Sequence, residues 1–204
     1  MSTDFLSKVY QARNPDETRA LYDEWSGSYD AEIAANGYVT PTRCAAALAQ
    51  FCDDLTAPIL DFGCGTGLSG AALSKNGFTQ IDGVDVSPDM LKTAQAKKAY
   101  RNLRLVTAGE DPIKTPGDYS AISAVGVIGA GAAPVSTFDL LINGLAQGGK
   151  MVLSFNDHTL EDPDYEGRIT AWTDCGAARL LFREHGPHLP GINMSSTVYV
   201  IEKA

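Results

Sequence analysis

An α/β fold built on a largely parallel sheet is what this 204-residue sequence predicts. Three observations point to it. Short apolar, strand-like runs alternate with helix-like segments from residue 59 onward. A glycine-rich turn joins the first of these runs to the helix after it. The last two strand-like runs are separated by turn formers alone, so they read as an antiparallel hairpin rather than a crossover pair.

Taken in order, an acidic amphipathic helix comes first. Tyr22, Trp25, Tyr29 and Ile33 recur at helical spacing, with Asp23, Glu24 and Asp30 between them. Gly37 and Pro41 end this region and open a second helix near residues 42–51. The apolar strand Ile59-Leu60-Asp61-Phe62 runs into the turn Gly63-Cys64-Gly65-Thr66-Gly67, and a small-residue helix follows through Ala71, Ala72 and Leu73. A second strand at residues 81–86 meets Ser87-Pro88-Asp89. There the Ser87 oxygen can cap a helix, the fixed φ of Pro88 suits its first position, and the Asp89 charge favours its dipole. Further strands are expected at residues 103–107, 119–125 and 150–155. A helix at residues 135–146 lies between the last two, and Gly148-Gly149 stop it. After a helix near residues 165–173, the strand-like runs 178–184 and 197–201 flank Gly186-Pro187-His188-Leu189-Pro190-Gly191, which is expected to be the hairpin turn.

Composition narrows the function. A 44% hydrophobic and 20% charged chain of this length can bury a core without metals or disulfides. No internal repeat or linker divides it, so residues 1–204 are expected to form one domain. No apolar run approaches the ~18 residues of a membrane helix. The start, Met1-Ser2-Thr3-Asp4-Phe5, lacks the basic flank and apolar stretch of a signal peptide, so a cytoplasmic location and no membrane partner are expected. Sixteen basic against twenty-five acidic residues leave a net charge of −9. A protein that holds a phosphate backbone normally shows a basic stripe, so nucleic acid is not an expected partner. The one basic cluster, Lys92, Lys97, Lys98, Arg101 and Arg104, reads as a solvated helix end. Cys44, Cys52, Cys64 and Cys175 show neither zinc-ligand nor disulfide-framework spacing and read as reduced structural thiols.

The informative segment is the glycine turn. Glycines allow a tight strand-to-helix turn and let a ligand approach bare backbone at a helix N-terminus. Asp85 ends the second strand, where an acid can accept both ribose hydroxyls of a nucleoside cofactor. Gly65-Thr66-Gly67-Leu68-Ser69-Gly70 also fits a dinucleotide fingerprint. However, Asp61 at the strand's exit would repel a pyrophosphate and suits the cationic S-adenosylmethionine instead.

Residues 59–67 resemble motif I of the class I S-adenosylmethionine-dependent methyltransferases, and Gly83-Val84-Asp85-Val86-Ser87-Pro88-Asp89-Met90-Leu91 resembles their second motif. Tyr22-Asp23-Glu24-Trp25 with Tyr29-Asp30 is similar to the family's N-terminal lid. The run Gly109-Glu110-Asp111-Pro112 is similar to that of the Williams–Beuren syndrome region methyltransferase-like group. The resemblance implies a Rossmann-like, seven-stranded, mostly parallel sheet with a reversed final strand. It implies a lid and first core helix over residues 1–53 and the core over 57–204. It implies that Gly63, Gly65 and Gly67, with Cys64 in the same turn, line the methionine and ribose of S-adenosylmethionine. By the same resemblance Asp61 holds the amino end, directly or through water, and Asp85 the ribose. Val86 packs on the adenine, Gly109 and Glu110 lie at its edge, and Tyr29 and Val125 complete the set. Many relatives have an aspartate where Ala108 stands here, which leaves adenine recognition to backbone or Glu110.

Transfer of a methyl group, leaving S-adenosylhomocysteine, is an in-line displacement in which positioning supplies much of the rate, so a base is optional. His158, after the fifth strand, and Tyr29 are the candidate catalytic groups. His185 and His188 flank a Gly-Pro turn that cannot present them as helical metal ligands, and no metal site is expected. The acidic run 161–166 reads as a solvated loop that would also receive a cationic acceptor. The small residues of 129–134 leave room for a bulky or apolar one, or mark an inactive site. The expected function is methyl transfer to a small-molecule acceptor. A non-catalytic cofactor-binding module and an NAD(P)-dependent reductase are the alternatives.

Overall fold

A computed structural model describes residues 29–129 and 131–204. The expected Tyr22/Trp25 part of the first helix, and with it most of the lid, lies outside the described residues. Helices α1 (Tyr29–Ala35) and α2 (Thr40–Ala49) precede β1 (Ile59–Phe62), α3 (Leu68–Lys75), β2 (Ile81–Asp85), α4 (Pro88–Ala96) and β3 (Asn102–Leu105). Then come β4 (Ala121–Val125), α5 (Ser136–Gly144), β5 (Lys150–Asn156), α6 (Pro163–Asp174), β6 (Ala178–Leu189) and β7 (Met194–Lys203). The seven strands form one sheet in the order β3-β2-β1-β4-β5-β7-β6. The first five are parallel, and β7 runs antiparallel to both its neighbours. The Rossmann-like reading and the reversed final strand are thus borne out.

Period-2 alternation explains the two faces. Leu60, Val84, Ile122, Leu153 and Tyr199 point into one core cluster with Phe138 and Leu141 of α5 and Ile169 of α6. Ile59, Ile81, Ala121, Val152 and Val200 point the other way, against Cys44 and Leu48 of α2 and Ala72 and Leu73 of α3. Helices on both faces bury the central strands β1, β4 and β5 on both sides, as parallel sheets require.

Local chemistry sets the boundaries. Ser87 Oγ accepts from Met90 N at 3.1 Å, so α4 starts where the Ser-Pro-Asp run predicts. Asp162 caps α6 in the same way, with Pro163 at the first position, two residues earlier than the apolar pattern implied. Strand β3 stops two residues early because Glu110 Oε2 accepts from Thr107 N at 2.9 Å and turns the chain.

The hairpin turn is displaced from the expected place. Gly186 and Pro187 lie inside β6, paired with Ser196 and Ser195, and the chain reverses at Pro190–Ile192 with Asn193 at φ 60°. Strand β6 is a sheet edge, where the missing proline N–H costs no ladder bond. The glycine is needed for another reason. A Cβ there would come within 2.9 Å of Arg43 Nη2, which reaches across to the carbonyl of Glu184 while Nη1 bonds that of Pro187.

Candidate functional site

The chain builds β2 and β3 on one side of β1 and then crosses to β4 on the other. The C-terminal ends of β1 and β4 therefore flank a topological switch point, where open α/β sheets bind ligands. The glycine turn leaves β1 there, with Gly63, Gly65 and Gly67 at φ 65°, 52° and 87°. A Cβ on Gly63 would fall 2.2 Å from Val127 Cγ2, and one on Gly67 would lie 3.1 Å from Ala94 Cα. In front of Gly65, and also of Gly109, nothing lies within 4 Å. Gly63 and Gly67 are thus demanded by packing, whereas Gly65 opens onto space.

That contrast predicts two different phenotypes. Gly63→Ala adds a clash, costing about 1–3 kcal/mol, to a left-handed strain of roughly 1–2 kcal/mol. Gly65→Ala carries the strain alone. At about 2–4 °C per kcal/mol, the first variant is expected to melt roughly 2–12 °C below the second. Equal melting midpoints would contradict this division.

Asp85 organises the turn. Its Oδ2 accepts from Gly65 N at 2.8 Å and its Oδ1 from Ser87 N at 2.9 Å, so one carboxylate ties the glycine turn to the start of α4. Asp61 is fully buried. Its Oδ2 accepts from Ser69 Oγ at 2.6 Å and Tyr100 Oη at 2.8 Å. Its Oδ1 has no partner at hydrogen-bond distance, and neither has Ser123 Oγ, whose residue is its register neighbour on β4. Burial pushes the Asp61 carboxyl up to about 6. The hydrogen bonds from the Ser69 and Tyr100 hydroxyls oppose that rise, and the Asp85 charge adds to it.

The orphaned Asp61 oxygen, the Asp85 carboxylate and the uncovered Gly65 backbone fit a cationic nucleoside cofactor. They offer acceptors for an ammonium and for hydroxyls. Asp61, Gly63, Cys64, Gly65, Gly67 and Asp85 are brought together at this turn. Cys64 as a whole residue is only 3% exposed, and burial pushes its thiol well up.

Other expected residues lie further out. Val86 packs on the α5/α6-side core and Val125 on the α2/α3-side core. Glu110 is committed to Arg104 at 2.7 Å and to Thr107. Tyr29 packs with Tyr38, Leu68 and Met194 around buried Ile33 and Leu189, so α1 and the hairpin tip meet the start of α3. His158 stands after β5 with its Nδ1 3.6 Å from Glu161 Oε2.

The sequence missed several members. The basic cluster is not simply solvated: Lys97 Nζ donates to Asp30 Oδ2 at 2.5 Å and to the Thr66 carbonyl at 2.6 Å. Thr66 Oγ1 donates to the other Asp30 oxygen, which clamps α1 onto the glycine turn. Arg101 binds Asp82 and Arg104 binds Glu110. His188 is a core residue, 2.8 Å from Thr40 Oγ1 and lowered to about 4 by burial. His185 Nε2 lies 2.9 Å from Asp157 Oδ1. No helix among the described residues is long and apolar enough to cross a membrane.

Comparison with known proteins agrees with this geometry. Residues 60–151 match the family described as a methyltransferase domain. A 125-residue stretch is 40% identical to methyltransferase-like protein 27 of Homo sapiens, covering 59% of this chain and 51% of that protein. A 118-residue stretch is 33% identical to the 18S rRNA (guanine(1575)-N(7))-methyltransferase of Saccharomyces cerevisiae, covering 51% and 43%. The chain spans about half the length of these curated relatives. Among solved structures, a TehB-like S-adenosylmethionine-dependent methyltransferase from Corynebacterium glutamicum superposes with a TM-score of 0.63 at 20% identity, over 89% of this chain and 98% of that one. The [4+2]-cyclase SpnF superposes at 0.71 with 15% identity, over 94% and 97%.

Proposed function

We propose, for a chain that carries a class I S-adenosylmethionine-dependent methyltransferase domain, the transfer of a methyl group to a small-molecule acceptor. S-adenosylmethionine, the cofactor of that family, supplies when bound a methyl carbon activated by its sulfonium. The chain's own part is to bind and orient. The free oxygen of Asp61 would take the ammonium, and Asp85, already aimed by two backbone amides, would take the ribose hydroxyls. Gly63, Cys64, Gly65 and Gly67 would offer backbone. Val86, Gly109 and Glu110 would line the adenine side, and Tyr29 and Val125 would complete the set.

The observation that carries the small-molecule reading is the fate of the cations. The chain is −9 overall. Within the one basic cluster, Lys97, Arg101 and Arg104 each close an ion pair with a carboxylate of the same chain. No stripe of that cluster is left to follow a phosphate backbone. A methylated nucleic acid is the second reading, favoured by the ribosomal RNA methyltransferases of yeast and Bos taurus among the relatives. The cyclase superposition is a reminder that this fold hosts other chemistry, as a cofactor-binding module without methyl transfer would.

Two measurements test the proposal. Saturating S-adenosylmethionine or S-adenosylhomocysteine, at a hundred times the dissociation constant, adds about 2.7 kcal/mol. That raises the melting midpoint by roughly 5–11 °C for a chain of this size, and NAD and NADP are expected to leave it unmoved. Methyl-labelled cofactor is then offered with a small-molecule extract and, separately, with ribosomal RNA. Label in the RNA fraction alone would overturn the small-molecule reading. Binding without transfer to either would favour the non-catalytic module.

A further inference from the structure

Tyr100 lies in the link between α4 and β3, and its ring is threaded between α3 and β2. Three glycines from different elements make the slot. A Cβ at Gly70 would lie 2.2 Å from its Cζ, one at Gly83 2.9 Å from its Cδ1, and one at Gly67 3.1 Å from its Cε2. Any side chain at Gly70 or Gly83 would expel the ring. The space those glycines leave is therefore spent on delivering one hydroxyl to one place.

That hydroxyl has a fixed polarity. It accepts from Gly70 N at 3.1 Å, one of the first-turn amides of α3 that have no partner within the helix. Its own proton is then directed to Asp61 Oδ2, 2.8 Å away. A donor that itself accepts from a helix amide is polarised, so it holds a carboxylate's charge better than an isolated hydroxyl would. Ser69, in the same first turn, donates to the same oxygen at 2.6 Å. Both donors converge on Oδ2, which fixes the carboxylate's rotation and leaves Oδ1 as the free acceptor.

We infer that Tyr100 is a positioning residue: it keeps Asp61 ionised and aims the free oxygen of Asp61 at the cofactor's ammonium. The inference rests on the cofactor site proposed above. Asp61 needs such support. The groups around it are Asp85 on β2, the Cys64 thiol in the turn, the Cys44 thiol on α2 and the hydroxyls of Ser69, Ser123 and Tyr100. None of these is cationic, so donated hydrogen bonds are all that opposes burial of the charge.

The test is the pH profile of S-adenosylhomocysteine binding to the full chain, by calorimetry between pH 5 and 8.5. Wild-type affinity is expected to fall as pH drops through about 6, where Asp61 takes up its proton. Tyr100→Phe keeps the ring in its slot and removes only the hydroxyl. Its inflection is expected about one unit higher, with affinity roughly five- to tenfold weaker between pH 6 and 5 and within about twofold of wild type from pH 7 upward. Ser69→Ala, which removes the second donor, is expected to shift the inflection in the same direction. It serves as the second reading should the first variant fail to fold. An unshifted inflection, or an equal loss of affinity at every pH, would overturn the role of Tyr100. If wild type itself does not bind, the cofactor reading fails instead.

Discussion

Asp85→Ala is expected to weaken S-adenosylhomocysteine binding by about 3 kcal/mol, roughly a hundredfold. Two contributions lead there. A charged acceptor for two ribose hydroxyls is removed, and hydrogen bonds to charged groups are worth about 1.5–3 kcal/mol each. The same carboxylate also holds Gly65 N and Ser87 N, so its loss loosens the turn that must meet the ligand. Both amides are only partly buried and water can replace the acceptor, which limits the stability cost to about 1 kcal/mol, or roughly 2–4 °C in the melting midpoint. Calorimetric titration with a parallel melt reads the two effects. An affinity within about threefold of wild type in a folded variant would remove Asp85 from the cofactor site.

Asp61→Asn is expected to move binding and stability in opposite directions. Asp61 rises from an ordinary carboxylate value of 3.8 to about 6 in the folded chain. A folded-state pKa above the unfolded one means that ionisation opposes folding. The native state is therefore penalised above about pH 6, and the penalty fades as pH falls from 6 toward 4. Two units correspond to about 3 kcal/mol at neutral pH. The neutral amide escapes that cost, and its oxygen can take the place of Oδ2 and go on accepting from Ser69 and Tyr100. The ligand-free variant is expected to melt about 6–12 °C above wild type at pH 7.5, with the gain vanishing near pH 4. Binding of S-adenosylhomocysteine is expected to fall at least about thirtyfold, since the charge facing the ammonium is gone. A variant that loses both stability and affinity would show that Asp61 is a structural acid. One that binds as wild type does would show that the ammonium is held elsewhere.

The glycine turn was legible because its chemistry is local. The run from Ile59 to Gly67 and the Ser87-Pro88 cap each dictate backbone shape within a few residues, and β1, β2 and the start of α4 fall where they predict. The partners of Asp61 were not legible. Ser69 is eight residues away, Tyr100 thirty-nine, and no spacing rule links them. A faint signal existed in Gly70 and Gly83, whose missing side chains only make sense once the ring between them is seen. The hairpin was misplaced for a related reason. Gly186-Pro187 is a turn former by local propensity, but an edge position and the reach of Arg43 keep it extended.

The sequence by itself determined the alternation of elements, the glycine turn with its two acids, and an acidic charge ill-suited to phosphate. These are properties of neighbours in the chain, governed by backbone conformation and composition. Only the tertiary structure decided which glycines serve packing and which face open space, where the cations spend their charge, and which oxygen of Asp61 is left free. Those depend on groups brought together from distant positions, because a buried charge takes its state from whatever surrounds it in space, not from its neighbours in sequence.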